Sequence, residues 1–160
     1  VTHTIINKDN KAMYYSFGAH PGLNCEIGDY IEFSDDCELY TERIDHDSIL
    51  MDEKFPVEME NNRIVLTKNI FDNDALILSG YKSKKVSLKS DNHNRIIDFY
   101  FDSPLLGIWA KPNAPYVCIE PWWGVNDNYD KKDDISMKRG IMILEPQESK
   151  NFVWEIKISE

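Results

Sequence analysis

The sequence predicts an all-β fold, an antiparallel sandwich or barrel made of many short strands. Segments rich in β-branched and aromatic residues recur about every ten residues, and polar turn-forming clusters at 8–11, 60–62 and 90–94 separate them. A helical hydrophobic period is hard to find along the chain. The 160 residues, 42% of them hydrophobic, are sufficient for a real core, so we expect residues 1–160 to form a single domain.

The individual elements follow from the local order of apolar and polar residues. The last segment alternates, so that Trp154, Ile156 and Ile158 fall on one face of an extended chain. Continuous apolar runs at 76–78 and 96–97 are typical of strands covered on both faces. One brief helix is predicted at 70–73 and a solvated loop at 126–134. Strands are predicted at residues 4–6, 13–17, 30–33, 38–43, 57–60, 63–66, 75–78, 85–89, 95–101, 107–110, 116–119, 139–144 and 152–159.

The charge balance argues against two classes of partner. Lys and Arg total 18 against 28 for Asp and Glu, which gives a formal net charge of −10. Such a chain repels nucleic-acid phosphates and anionic lipid surfaces, and the sequence shows no basic stripe that would overcome the repulsion. We therefore expect no nucleic acid and no membrane as partner, while neutral sugars, cations and other proteins stay open.

The cysteines predict a reducing compartment. Cys25, Cys37 and Cys118 are odd in number and have no CxxC spacing, so neither a disulfide framework nor a cysteine-based zinc site is expected. No apolar run approaches the roughly 18 residues of a membrane span, and no charged-then-apolar leader precedes the first strand. These features favour a cytoplasmic protein. The chain begins without methionine in a strand-like segment, which suggests a start within a fold.

The segment FGAHPG at residues 17–22 places a histidine at the predicted end of a strand. Gly18 and Gly22 allow close approach of the backbone, and Pro21 fixes the chain directly after His20. An imidazole held at a rigid strand end is well placed to deliver a proton near neutral pH. The competing interpretation is a histidine that satisfies a turn.

The segment YVCIEPWWG at residues 116–124 delivers a carboxylate directly before a proline and two tryptophans. Glutamate is seldom buried unless it is paired, and desolvation by aromatic rings makes the carboxylate of Glu120 a better base. The faces of Trp122 and Trp123 suit the apolar face of a pyranose, with indole N–H groups free to bond hydroxyls. A core strand that ends in an interface loop is the competing interpretation.

Other residues carry weaker signals. Asp74 lies just ahead of an apolar strand, where a plain turn residue also fits, and Trp109 also fits a core position. Neither a glycine-rich phosphate loop nor a Gly-x-Ser-x-Gly nucleophile elbow occurs. A cupin-type metal barrel would need two histidines one residue apart and then a glutamate. Since His20 stands alone ahead of Glu26, no metal centre is expected.

Taken together, these segments resemble the aldose 1-epimerase (galactose mutarotase-like) family, in its bacterial mutarotase-related branch. Five stretches match in the family's order: MYYSFGAHPGLNC, LTKNIFDNDALILSGYKSKKVSL, LLGIWAKPNAPYVCIEPWWGVND, KRGIMILEP and QESKNFVWEIKIS. They span almost the whole chain, and the strings around His20 and Glu120 are fairly specific. The resemblance implies a large antiparallel β-sandwich with an open cleft for a free sugar.

The resemblance also implies roles for individual residues. Glu120 corresponds to the general base and His20 to the general acid of an enzyme that interconverts the α and β anomers of a free hexose, with the pair on opposite sides of the sugar ring. Asp74 corresponds more loosely to an acidic residue that binds sugar hydroxyls. We expect Trp109 and Trp122 to line the cleft, and neither a metal nor an organic cofactor is expected.

The family's full domain is much longer, and its amino-terminal half, which brings a further histidine and an arginine into the sugar site, matches no part of this sequence. We therefore expect a carboxy-terminal part of the sandwich: a fragment, a truncated product or one half of a split protein. Open sheet edges would then invite self-association or an amino-terminal partner chain. The alternative to an enzyme is a catalytically inactive carbohydrate-binding or interaction module. A sugar phosphate would call for a basic residue near the sixth carbon of the sugar. Lys111 is the one nearby candidate and fits an exposed surface lysine better, so an unphosphorylated aldose is expected.

Overall fold

The computed structural model describes residues 1–35, 37–130 and 133–160. Residues 131 and 132, which belong to the predicted loop at 126–134, lie outside the described residues. Regular structure in the described ranges consists of fourteen strands and one 3₁₀-helix, Ile135–Met137. The strands are β1 (Thr2–Ile6), β2 (Met13–Tyr15), β3 (Gly22–Asn24), β4 (Tyr30–Phe33), β5 (Tyr40–Glu42), β6 (Phe55–Pro56), β7 (Arg63–Val65), β8 (Leu76–Ser79), β9 (Lys85–Lys89), β10 (Ile96–Phe101), β11 (Leu105–Trp109), β12 (Tyr116–Trp122), β13 (Met142–Leu144) and β14 (Ser149–Ser159).

The described strands assemble into two six-stranded sheets and one two-stranded sheet. The first sheet has the order β1-β14-β10-β9-β4-β7, the second has the order β3-β12-β11-β8-β5-β6, and β13 pairs with β2. Neighbouring strands in all three sheets are antiparallel. Because the two large sheets share one hydrophobic core, the predicted antiparallel β-sandwich is confirmed.

The second sheet has two different faces, because successive side chains of a strand point to opposite sides. Its inner face contributes completely buried side chains to the core shared with the first sheet, namely Leu78, Leu106, Ile108, Val117 and Ile119. The opposite face, called the site face below, carries Gly107 on β11 and Glu120 on β12 at opposing positions. A second small apolar cluster covers part of the site face and contains Leu50, Ile77, Leu105 and Val125.

The prediction of a helix at residues 70–73 is wrong. Residues 68–73 form successive turns, in which backbone groups bond three positions back, as from Asp74 N to Phe71 O at 3.1 Å. Asp74 then has a φ of +68°, in the left-handed region, so a right-handed helix cannot continue through it. The turns instead lead directly into β8.

The strand that carries Glu120 is longer than predicted. β12 does not end at residue 119 but runs through Pro121 to Trp122, and its neighbour β3 is absent from the predicted strands. Proline usually argues against a central strand because it cannot donate to the ladder.

Within the described residues, no helix has the length and apolar character that a membrane crossing requires. Cys25, Cys37 and Cys118 form no disulfide bond.

Candidate active site

Strand register brings His20 and Glu120 together. β12 pairs with β3 as far as Cys118 opposite Gly22, and the pairing continues beyond β3 to a bridge between Gly18 and the end of β12. These two contacts bracket His20 and Glu120 and place them opposite each other. Two residues far apart in the sequence thus become neighbours on the site face.

The hydrogen-bond pattern makes this a position where two side chains lie close. Ala19 N donates to Pro121 O at 3.1 Å, and Pro21 O accepts a backbone bond of 3.2 Å from β12 in the same way. The hydrogen-bonded positions therefore flank His20 and Glu120, which face each other as a non-hydrogen-bonded pair, the kind in which side chains approach most closely. Each of the two residues precedes a proline, which restricts it to an extended conformation. Proline is tolerated here because its missing N–H faces only the short edge segment.

The two side chains are in direct contact. His20 Nδ1 lies 2.8 Å from Glu120 Oε1. The Glu120 side chain is 6% exposed, whereas the His20 side chain is 63% exposed, so solvent reaches one partner only. This arrangement differs from the expected pair on opposite sides of a sugar ring, because no ring fits between two atoms at hydrogen-bonding distance.

Trp122 binds the second oxygen of the same carboxylate. Its indole Nε1 donates to Glu120 Oε2 at 3.1 Å. The ring lies across Gly107, where an added Cβ would come within 3.1 Å of Trp122 Cε2 and 3.2 Å of Glu120 Cβ. Gly107 therefore leaves the space that the indole occupies. The N–H of Trp122 is directed to the candidate base, and the neighbouring Trp123 packs away from the site, against Phe152 at a ring-centroid distance of 4.9 Å.

Two further side chains surround the His20 ring. Cys118 Sγ lies 3.7 Å from His20 Nε2, and the ring centroid of Trp109 lies 6.0 Å from that of His20. Cys118 and Trp109 oppose each other on β12 and β11. Burial, and then the charge of Glu120, raise the pKa of the Cys118 thiol to about 11, so this thiol stays protonated near neutral pH.

Asp74 takes part in none of the contacts described for this group. It is exposed, and its Oδ1 accepts a hydrogen bond of 2.6 Å from Ala75 N. It lines a separate hollow with residues that include Arg43, Asp45 and His46. These contacts join four of the predicted site residues, namely His20, Glu120, Trp109 and Trp122, and do not include Asp74.

Comparison with known proteins gives relatives that are longer than this chain. No protein-family profile matches the chain. Protein LacX of Lactococcus lactis subsp. lactis, in its plasmid and chromosomal forms, is 26% identical over 159 residues. The match covers 92% of this chain and 53% of LacX, so the chain spans about half the length of the curated relatives it matches.

Solved structures match nearly the whole chain. A galactose mutarotase related enzyme from Lactobacillus acidophilus superposes with a TM-score of 0.86 at 26% identity, over 99% of this chain and 56% of its own. A galactose mutarotase-like protein from Lactobacillus casei ATCC 334 superposes with a TM-score of 0.88 at 24% identity, over 99% of this chain and 58% of its own. The chain has the galactose mutarotase-like fold. The predicted resemblance is therefore confirmed at the level of the fold, and a galactose mutarotase-like protein from Clostridium acetobutylicum shares that fold at 18% identity, with a TM-score of 0.68 over 51% of its length.

In this galactose mutarotase-like fold, the site face carries a second buried carboxylate that sequence reasoning missed. Glu42 on β5 lies opposite Ile77 on β8, which in turn lies opposite Gly107 on β11. Since Gly107 lies opposite Glu120, the two glutamates occupy one row across the sheet. Three strand spacings separate them, roughly 14 Å.

Basic side chains surround Glu42. Arg139 Nη2 donates to Glu42 Oε1 at 2.8 Å, Arg139 Nη1 donates to Oε2, and Lys54 Nζ lies 3.7 Å from Oε1. The Glu42 side chain is 2% exposed, whereas that of Arg139 is 46% exposed. The hydrogen bonds from Arg139 hold the pKa of the Glu42 carboxyl below its usual range, so Glu42 is an anion at neutral pH.

Local signals for the missed residues differ. Alternation along β12 could have placed Cys118 on the face of Glu120, because the two are two positions apart. A glycine inside an apolar strand, such as Gly107, is a known sign of close approach by another group. Nothing close in the sequence marks Glu42, because its partner Arg139 comes from a distant loop of the galactose mutarotase-like fold.

Proposed function

We propose that this chain carries the acid–base site of an aldose 1-epimerase-like protein, which interconverts the α and β anomers of a free hexose. The observation that supports this most directly is the contact of 2.8 Å between His20 Nδ1 and Glu120 Oε1. The contact joins an exposed imidazole to a buried carboxylate, and these are the two side-chain types that general acid–base catalysis uses most. The structural relatives that are named as galactose mutarotase-related proteins support the same chemistry.

In the proposed reaction, Glu120 takes the proton from the C1 hydroxyl while protonated His20 donates a proton to the ring oxygen. The ring opens to the aldehyde, the C1–C2 bond rotates, and closure on the other carbonyl face gives the other anomer. The two residues exchange roles on closure, so each regains its starting protonation state. Positioned acid–base catalysis of this kind supplies about 10²–10⁴-fold.

Sugar entry requires the pair to separate. His20 is the exposed partner, so its ring can turn outward, while the hydrogen bond from Trp122 Nε1 holds Glu120 in place. The C1 hydroxyl and the ring oxygen are bonded to the same anomeric carbon. The two side chains therefore need to part only far enough to admit these two neighbouring oxygens, and they need not stand on opposite sides of the ring.

The remaining predicted residues have unequal support as sugar-binding groups. The ring of Trp109 lies beside His20 on the site face, where it is suitable to contact the apolar face of a pyranose. Trp122 contributes mainly through Glu120. We propose that Asp74 binds a sugar hydroxyl only at the periphery, because it lines a hollow separate from the pair.

An unphosphorylated aldose fits the charges of the site face best. Arg139 and Lys54, which reach this face, are engaged with Glu42, and Lys111 is exposed. The formal net charge of −10 also opposes the approach of a sugar phosphate. We therefore propose glucose or galactose as the first substrates to test.

The sheet edges support a further proposal about partners. β7 ends the first sheet and β6 ends the second, and Val65 on β7 is 43% exposed. Unpaired strand edges of this kind associate readily with other strands. We propose that a second copy or a partner chain pairs with such an edge, which light scattering would detect as a mass in solution above that of one chain.

The proposed activity is tested by following the equilibration of fresh α-D-glucose and α-D-galactose by polarimetry or proton NMR, against a buffer blank. Equilibration faster than the blank, and lost in Glu120→Gln, is the expected result. A rate equal to the blank, together with hexose-induced shifts of the Trp109 indole signal, would instead favour the inactive carbohydrate-binding module. A rate equal to the blank with no shifts would contradict a sugar function for this chain.

A further inference from the structure

We propose that His20, Cys118 and Glu120 form a binding site for a thiophilic divalent ion such as Zn²⁺, and that this ion and the sugar exclude each other. Each of the three residues offers one ligand atom, and these atoms lie within 4.8 Å of one another. Cys118 and Glu120 are both buried, whereas the His20 side chain is exposed to solvent. The three side chains thus form a ligand cluster that is open to solvent on the side of His20.

The ligand types select the class of ion. A thiolate together with an imidazole favours Zn²⁺, Co²⁺ and related transition metals over Mg²⁺ and Ca²⁺, which prefer sites made of oxygen ligands. Three protein ligands and one open position describe a zinc site that can still bind water or another small ligand. The exposed edge of His20 supplies that open side and a path of entry.

The distances suit a tetrahedral ion after a small adjustment. The separation of 3.7 Å between Cys118 Sγ and His20 Nε2 is close to the edge of a tetrahedron built from Zn–S and Zn–N bonds, which is about 3.6 Å. Glu120 completes the set when Oε1 releases His20 Nδ1 and binds the ion instead. The thiol proton passes to solvent as the thiolate forms, so charge and atoms balance.

The surroundings hold two of the ligands in place. Cys118 and Glu120 are two positions apart on β12, so both side chains leave the same face of one strand. Trp122 Nε1 donates to Glu120 Oε2, the oxygen that the ion does not need. Hydrogen bonds of this type to a ligating carboxylate orient it and strengthen metal binding.

A second group of similar residues provides an internal control. Asp45, His46 and Asp47 also place ligand atoms within 4.8 Å of one another, but this group lacks sulfur and lies at the surface. The Asp45 carboxylate is already bound by backbone N–H groups, as from Ile49 N at 2.9 Å. We therefore expect it to contribute little to the binding of a thiophilic ion.

The ion would act as an inhibitor rather than as a cofactor. It occupies the Glu120 oxygen and the imidazole that the proposed epimerisation needs, so the sugar and the ion compete for one place. This competition rests on the proposed function. The binding of the ion itself rests only on the geometry of His20, Cys118 and Glu120.

The experiment is a titration of the reduced chain with Co²⁺, in a phosphine rather than a thiol reductant, followed by displacement with Zn²⁺ in a calorimeter. Binding at Cys118 produces the near-ultraviolet charge-transfer band of a cobalt–thiolate bond. Cys118→Ala is expected to abolish this band and to weaken Zn²⁺ binding by roughly 100-fold or more, since even outer partners of metal ligands contribute 10–100-fold. The matched controls His46→Ala and Cys37→Ser are expected to leave both unchanged, and circular dichroism verifies that each variant is folded.

The outcomes separate the metal site from the sugar site. A missing charge-transfer band in the folded wild-type chain, or a band that survives in Cys118→Ala, would overturn the metal site. Galactose at high concentration is expected to raise the apparent Kd for Zn²⁺. If the band depends on Cys118 but galactose has no effect, the metal site stands and the competition with sugar is contradicted.

Discussion

Two buried carboxylates share one row of the site face, and they differ in the groups that bind them. Glu120 has a side chain that is 6% exposed, and it contacts the exposed imidazole of His20 and the indole N–H of Trp122. Glu42 has a side chain that is 2% exposed, and it contacts the Arg139 guanidinium and the Lys54 ammonium. Burial is nearly equal at the two positions, so the difference lies in the partners.

The partners decide what each carboxylate is able to do. Arginine keeps its charge at any pH near neutrality, so Glu42 is held as an anion that fastens the loop carrying Arg139 to the sheet. Histidine changes charge near neutral pH, and an indole N–H carries no charge. The contacts of Glu120 therefore permit proton exchange, whereas those of Glu42 oppose it. A titratable, solvent-exposed partner is a better sign of acid–base chemistry than burial alone.

The largest expected effect is on turnover. Glu120→Gln keeps the size of the side chain and can still accept from Trp122, but it removes the proposed base, so the epimerisation rate should fall by about 10²–10⁴-fold. His20→Gln should lose a similar factor. Because the two residues act as one unit, the double variant should be no slower than the worse single variant, and polarimetry measures all three. If the rate losses of the two single variants multiply in the double variant, the two residues do not act as a coupled pair.

The next largest effect concerns the ion pair. Arg139→Ala leaves a buried anion with only the more distant Lys54, so the free energy of unfolding should fall by about 3 kcal/mol in urea denaturation at neutral pH. Glu42→Gln should cost less, because the half-exposed Arg139 can be solvated by water. A larger cost for Glu42→Gln than for Arg139→Ala would show that the difference in exposure does not control this pair.

The ion pair also predicts a dependence on pH. Arg139 lowers the pKa of the Glu42 carboxyl in the folded chain, so the stabilisation is complete above the carboxyl's ordinary pKa. It is lost as the pH falls through the lowered folded value. Urea midpoints measured from neutral to acidic pH should therefore contain an acid-induced loss that Glu42→Gln lacks. Parallel curves for the two proteins would contradict this assignment.

A smaller effect is expected from crowding the indole. Gly107→Ala places a methyl group against Trp122 and Glu120, which must move by a few tenths of an ångström. Overpacking of this kind costs about 1–3 kcal/mol. We expect a lower urea midpoint together with slower epimerisation. Gly28→Ala, at an open turn position with a φ of +99°, is the control, because it should lower stability without changing the rate per folded molecule.

The smallest effect comes from a single hydrogen bond. Trp122→Phe keeps an aromatic ring over Gly107 but removes the N–H that Glu120 Oε2 accepts. Loss of one hydrogen bond to the carboxylate should cost about 1.5 kcal/mol, the low end of the range for charged groups, so the rate should fall by roughly 10-fold. If the hexose KM rises with kcat unchanged, Trp122 contacts the sugar and does not position Glu120.

The fold was predictable because strand signals are local. Alternation and turn chemistry indicated most strands, including Tyr30–Phe33 and Lys85–Lys89 with their observed bounds. The prediction of a helix at 70–73 failed because a few successive turns form local backbone hydrogen bonds similar to those of a short helix. The left-handed conformation of Asp74 distinguishes the turns from a helix. β12 was predicted too short because Pro121 argues against a strand at that position. The strand continues because the missing N–H of Pro121 faces only the short edge segment.

The site was predictable only in part. The strings around His20 and Glu120 identified the pair through family resemblance, but their contact depends on the register between two distant segments. Local alternation does not reveal which residues arrive from other strands. Glu42 and Arg139 were missed for this reason, and Cys118 was considered only for disulfide bonds and for a cysteine-based zinc site.

The most direct measurement compares wild type, Glu120→Gln and Glu42→Gln in one anomer-equilibration assay, at a temperature where all three are folded. We predict that Glu42→Gln equilibrates α-D-galactose at the wild-type rate, while Glu120→Gln falls to the buffer blank. Loss of activity in both variants, or full activity in Glu120→Gln, would contradict the assignment of catalysis to the carboxylate whose partner is a titratable histidine.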